Sequence, residues 1–137
     1  MTVPGKELLF LALGGSNEIG MNANLYGCNG KWVMVDLGVT FPGADYPGVE
    51  LIMPDLEFIE NRSEDLLGIV LTHGHEDHIG AVRYFAAELD VPIYATPFTA
   101  SLVRGKLEEE GVAEDVDLRV IPIGGNFDLG PFAIQLV

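Results

Sequence analysis

The chain contains three histidines, and all of them fall in the window "LTHGHEDHIG", Leu71 to Gly80. His73, His75 and His78 share that window with Glu76 and Asp77. Imidazole and carboxylate are the usual ligands of zinc and of similar divalent ions. Gly74 lets the backbone bend between His73 and His75, so both rings can aim at one point. Asp77 and His78 can aim at a second point nearby. Two ions about 3.5–4 Å apart would hold a bridging hydroxide and polarise a phosphoryl or carbonyl oxygen. Coordination lowers the pKa of the bound water from about 16 toward about 7, which yields a nucleophile at neutral pH. Asp77 can then serve both as a ligand and as the catalytic group that orients the hydroxide, whereas Glu76 is expected to point outward. The competing reading is three ordinary loop histidines. Four candidate ligands in six positions at a strand-to-helix corner weigh against it. The spacing specifies a metal more sharply than it specifies a substrate.

A motif of this kind needs elements that hold it. "LLGIVLT" (66–72) is nearly all apolar, as a strand buried on both faces would be. After the histidines, Ile79, Val82, Phe85, Ala86 and Leu89 recur at helical spacing, which predicts a helix beginning near Asp77. The histidine loop therefore caps the end of a sheet strand, where α/β folds usually place their sites. Upstream, "ELLFLAL" (7–13) reads as a strand and "GGSNEIGMN" as a glycine-rich loop. "NLYG" and "KWVMVDLG" read as strands joined at Asn29-Gly30, a pair that tolerates positive φ. "VTFPGADYPGVE" is a long loop, and Pro54-Asp55 opens a short helix to about Asn61. Downstream, "VPIYA" is a strand. Thr96-Pro97 reads as an N-cap with proline at the first helical position, and Gly111 marks that helix's end. "LRVIPI" and "FDLGPFAIQLV" close the chain with strands. The pattern predicts α/β layering, with helices packed on a sheet.

Composition sets the outer limits. A chain of 137 residues with 48% apolar content can build the core of about one domain. No run approaches the roughly 20 apolar residues of a membrane span, and the short N-terminal apolar run reads as a strand rather than a secretory signal. The single Cys28 excludes an internal disulfide framework and fits a cytoplasmic location. The formal net charge of −14 argues against gripping a phosphate backbone by charge alone. Bound cations, or a basic region elsewhere, would have to supply positive potential. Trp32, Phe10, Phe41 and Phe85 read as core or loop-anchoring aromatics. Arg83, Arg104 and Lys106 read as helix-surface cations that balance acids. Val137 falls within a segment patterned as a strand, so residues 1–137 are expected to form the front part of a longer protein.

The motif H-x-H-x-D-H after an apolar strand resembles the metallo-β-lactamase superfamily, whose fold is an α/β, four-layer αββα sandwich with a two-metal site at one edge. "LGGSNEIGMNANLYG", "VDLGVTFPGADYPGVELIMPD" and "LTHGHEDHIGA" are together similar to the bacterial ribonuclease J group of its β-CASP branch, as is "LVRGKLEEEG". Ser16-Asn17 departs from the group, which more often has a glycine there. The resemblance implies that His73 and His75 bind one metal and that Asp77 and His78 bind the other. Zinc is the first expectation, with manganese or magnesium as alternatives. It implies that Asp36 in "VDLG" supports the histidine loop through hydrogen bonds. It also allows a structural calcium held by backbone carbonyls at Pro47 and Val49. The superfamily needs a further histidine and a bridging aspartate. No histidine follows His78, so both are expected beyond Val137, together with the β-CASP and C-terminal domains.

On this resemblance the chain is the first half of a metallo-β-lactamase domain, apparently truncated and inactive alone. The full protein would be a metal-dependent ribonuclease, acting as a 5′-to-3′ exonuclease, an endonuclease or both. Its partner would be RNA and not a membrane, and it would assemble as a homodimer or homotetramer. A thioester hydrolase or lactonase of the same superfamily would share the histidines, but not "GGSNEIGMN" or the long Pro/Gly loop. A scaffold with a decayed site is the non-catalytic rival.

Overall fold

The computed structural model describes residues 8–14, 23–38, 56–72 and 79–136. Eight strands lie among them: β1 (Leu9–Gly14), β2 (Ala23–Cys28), β3 (Lys31–Val35), β4 (Leu66–Val70), β5 (Ile93–Ala95), β6 (Leu118–Val120), β7 (Asn126–Leu129) and β8 (Phe132–Gln135). The helices are α1 (Glu57–Glu60), α2 (Val82–Leu89) and α3 (Pro97–Glu109). Strands β1 to β6 form one sheet in sequence order, and β7 and β8 form a second, two-stranded sheet. β1, β2 and β3 pair antiparallel, then β3, β4, β5 and β6 pair parallel.

The local chemistry explains the turns. Asn29 (φ 59°) and Gly30 (φ 77°) both adopt positive φ between Cys28 and Lys31, as a type I′ hairpin demands. Helix α3 starts at Thr96-Pro97, as expected. Thr96 is extended (ψ 162°) and its carbonyl accepts the first helical bond from Ala100. Its hydroxyl makes no capping bond, so the start rests on Pro97's fixed φ rather than on a side-chain cap. At the other end Gly111 takes φ 72°. The Gly111 amide donates to the Glu108 carbonyl and the Val112 amide to the Leu107 carbonyl, the two bonds of a Schellman stop.

Alternation along the strands divides the core in two. On one face Leu25, Met34, Ile69, Leu71 and Ile93 meet Ile59 of α1, Val82 and Ala86 of α2, and Val103 and Leu107 of α3. On the other face Val33, Val70 and Tyr94 meet Leu129 and Leu136 of the β7–β8 hairpin. β4 feeds both cores, which is why its sequence lacks polar alternation. Each fully buried Leu or Ile contributes roughly 1.5–3 kcal/mol against exposure. The register of β3 on β4 slips between Trp32–Leu66 and Val33–Gly68. The slip leaves Leu67 and Gly68 both toward the hairpin. Gly68 fits closely there: a Cβ would lie 3.0 Å from Tyr94 Cε2 and 3.1 Å from Leu129 Cδ2.

Three expectations are corrected. "FDLGPFAIQLV" is not one strand: Gly130 at φ 58° and Pro131 fold it into a hairpin. "LRVIPI" is a strand over Leu118–Val120, and the Ile121 amide adds one last bond to the Ala95 carbonyl; it stops there because Pro122 lacks an amide and its carbonyl closes a turn with the Gly125 amide. Phe10 is not a core residue. It is 56% exposed, touching Tyr26 at a ring separation of 5.2 Å, because β1 is an edge strand. Trp32 does anchor the helix-side core, packing edge-on to Phe58 at 5.3 Å. Phe41 lies outside the described residues, as does the expected helix start near Asp77.

Candidate metal centre

The parallel strands β3 and β4 end side by side, and the residues just past their ends are tied together. The Asp36 amide donates to the Val70 carbonyl at 2.8 Å, carrying the ladder one residue beyond β3. The backbone then turns left-handed, with Asp36 at φ 65°. Aspartate accepts this conformation more readily than most residues. The turn lays the carboxylate, in a residue only 4% exposed, against the end of β4. There Asp36 Oδ1 accepts from the Thr72 amide at 2.7 Å and Oδ2 accepts from the Thr72 hydroxyl at 2.6 Å.

The next residue continues the arrangement. The Leu37 carbonyl accepts from the Ala81 amide at 2.9 Å, at the entrance to α2. Leu37, Ile79 and Ala81 are fully buried in the helix-side core. Thr72 and Ala81 lie on either side of residues 73–80, and both bond to the pair Asp36-Leu37. His73, His75, Asp77 and His78 themselves lie outside the described residues, as do Pro47 and Val49. Among the described residues no group of three or more His, Cys, Asp or Glu could hold a metal ion. The donor set of the window, three imidazoles and a carboxylate, fits a zinc-type ion by its chemistry. Sequence reasoning singled out Asp36 and missed Thr72. A hydroxyl residue at the end of an apolar strand, next to the first histidine, was the available signal.

Among the described residues, several cations are held in ion pairs. Arg83 on α2 pairs with Glu109 and, at 3.7 Å, with Glu110 of α3. The Glu109 hydrogen bond raises the Arg83 pKa above its ordinary value, against the opposing effect of burial. Arg119 is raised by its hydrogen bond to Asp117, and it also donates to the Tyr94 hydroxyl at 3.1 Å. Lys31 meets Asp65 at 3.0 Å, and Arg62 lies 3.9 Å from the Phe58 ring centre. Cys28 is a free, half-buried thiol beside the first hairpin turn. No helix among the described residues is long and apolar enough to cross a membrane.

Residues 20–134 match the family model of the metallo-β-lactamase superfamily. The chain belongs to that superfamily. Superfamily membership implies a site for divalent metal, which agrees with the donor chemistry of the histidine window. Ribonuclease J of Sinorhizobium meliloti is 43% identical over 136 residues, which is 96% of this chain and 24% of that protein. Ribonuclease J of Mycobacterium tuberculosis is 48% identical over 99 residues, or 72% of this chain and 18% of that protein. The chain thus spans a quarter or less of the length of these relatives. Among solved structures, the metallo-β-lactamase fold protein YhfI from Bacillus subtilis matches with a TM-score of 0.57 and 16% identity. The match covers 92% of this chain and 50% of that one, a likeness of fold alone. The six-stranded sheet, with helices on one face and the β7–β8 hairpin on the other, is consistent with that fold.

Proposed function

We propose that this chain is the N-terminal part of the catalytic domain of a metal-dependent ribonuclease that hydrolyses RNA phosphodiesters. One observation carries the reading: the 43% identity to a ribonuclease J extends over 136 residues and so runs through the histidine window as well as the scaffold. His73 and His75 would hold one divalent ion, and Asp77 and His78 a second, with zinc preferred by ligand type and manganese or magnesium as alternatives. Such ions, when bound, lower the pKa of a coordinated water and offset charge building on a phosphate. Asp77 would orient the attacking water as well as bind. Asp36 holds Thr72, and through it the backbone that leads into His73. Calcium at the carbonyls of Pro47 and Val49 would be structural. Further ligands, a domain that grips RNA, and assembly as a homodimer or homotetramer belong to the longer protein, which we place in the cytoplasm. The ions would handle the scissile phosphate, while parts beyond this acidic segment would supply the basic track.

The test is to incubate the complete protein with 5′-phosphorylated, labelled RNA and, separately, with thioester and lactone substrates. RNA is expected to be cut, with activity lost to chelator and restored by zinc or manganese. RNA binding is expected to weaken as salt rises. Ester turnover without RNA cleavage would instead favour a small-molecule hydrolase. Less than one metal per chain after zinc loading would favour a scaffold.

A further inference from the structure

We propose that β1 is the surface through which the protein pairs with a second copy of itself, edge to edge, so that two six-stranded sheets join into one. The inference gives a location to the self-assembly proposed above and is independent of the metal and RNA readings. Among the described residues, β1 pairs with β2 on one side and with no strand on the other. Its outer row of backbone amides and carbonyls is therefore a template for another extended strand. The side chains give a second reason. Phe10 lies against Tyr26, which packs on the hairpin-side core, whereas Leu11 packs on the helix-side core. Successive residues alternate between faces, so Leu9 shares the face of Leu11. Leu8, Leu9 and Phe10 are all exposed, and they lie on both faces of the sheet. A layer laid on one face would cover only part of them. A strand added in the plane of the sheet flanks both faces at once.

Charge selects the occupant. The chain carries a formal net charge of −14, so two copies of this segment repel unless they meet where charge is absent. Between Glu7 and Lys31 the sequence has one charged residue, Glu18, and neither β1 nor β2 contains any. The opposite edge differs. There β6 carries Arg119, paired with Asp117, and Glu114 and Asp115 precede it. Charges of that kind are what natural sheets use to prevent strand addition, and β1 has none. The register irregularity between Ala12 and Gly14 limits the regular stretch to Leu9–Ala12, with Leu8 leading into it. Pairing this stretch antiparallel with its own copy about a two-fold axis sets leucine and phenylalanine beside leucine and phenylalanine. A strand from the remainder of the longer protein is the rival occupant.

The experiment uses the complete protein, whose mass in solution is read by light scattering. The unaltered protein is expected to be an oligomer. Leu9→Lys combined with Phe10→Lys sets like charges against each other across the two-fold edge. That double variant should have half the mass, with association weakened at least about a hundredfold, as like charges placed face to face imply. Single cysteines, Leu9→Cys, Phe10→Cys and Leu11→Cys in a Cys28→Ser background, supply a second readout. Opposed residues of paired strands lie about 4.5–5.5 Å apart, within disulfide reach. With added oxidant, two thiols at one of these positions should therefore give up two electrons and two protons and link two copies. A link between identical positions joins different copies by necessity. A monomeric unaltered protein would overturn this inference together with the proposed assembly. An oligomer that keeps its mass with both lysines in place, or no link at any of the three positions, would overturn the β1 interface alone. Mass retained with stability lost would assign the edge to a strand of the same chain instead. If the lysines prevent folding, the cysteine link decides.

Discussion

Replacing Gly68 by alanine tests how the second core is closed. The new Cβ would lie 3.0 Å from Tyr94 Cε2, 3.1 Å from Leu129 Cδ2 and 3.1 Å from the Pro92 carbonyl oxygen. None of the three can retreat freely. Tyr94 stacks on Phe127 with ring centres 4.4 Å apart and 15° between planes, and its hydroxyl accepts from Arg119. The Pro92 carbonyl accepts from the Ile69 amide at 2.9 Å, part of the β4–β5 ladder. Leu129 anchors the β7–β8 hairpin to the sheet. Overpacking of this kind costs about 1–3 kcal/mol. Alanine offsets about 0.5–1 kcal/mol of that, because it has less backbone freedom than glycine to lose on folding. The net expectation is a loss of up to about 2.5 kcal/mol, read from urea unfolding as a lower midpoint at unchanged slope. Repeating the substitution in a Leu129→Ala background removes one of the three crowding groups. The penalty should then shrink by about 0.5 kcal/mol or more, a coupling expected only of residues in contact. A stabilised Gly68→Ala protein, or a penalty indifferent to Leu129, would refute the close approach as the reason for glycine.

Two further outcomes follow from the ties around the window. Asp36→Ala should destabilise by about 3–5 kcal/mol, combining two lost hydrogen bonds to a carboxylate with the strain of alanine at positive φ. Asp36→Gly should recover about 1 kcal/mol of that in the same unfolding assay, since glycine accepts φ 65° without strain. Arg83→Met should change stability by less than about 1 kcal/mol, because its partner Glu109 is largely solvent-exposed and salt-screened. The Arg83 pKa is raised, so its contribution is complete below the ordinary arginine value and lost only above the folded one. Titration between about pH 6 and 9 should therefore show no step that Arg83→Met removes.

Much of this arrangement could be read from residue types, and the exceptions have a common cause. Asn29-Gly30 specifies its turn because two consecutive positive φ values admit few residues. Gly111 marks the end of α3 for a similar reason, and an apolar run as short as "LLGIVLT" can only be a strand covered on both sides. Gly130-Pro131 carried a turn signal that the apolar pattern around it concealed. The slip at Leu67-Gly68 had none, since two apolar or small residues toward one core look like ordinary alternation until the partner strand is known. Asp36 was legible through its resemblance, but its left-handed turn and its grip on Thr72 depend on β3 and β4 lying side by side. Pairing of that kind is a property of the sheet and has no local signature. The ligands His73, His75, Asp77 and His78 remain a reading of sequence, supported by the anchored residues on either side.

The principal sheet keeps its strands in the order in which they are synthesised. Each strand that leaves the ribosome finds its predecessor already presenting an open edge, so the sheet can lengthen by one neighbour at a time. Each strand pairs with its immediate successor, although the β3–β4 crossover must first close the long segment between Val35 and Leu66. Such a layout suits assembly from the N-terminus during translation, with the segment bearing the histidines threaded between two strands that dock in succession.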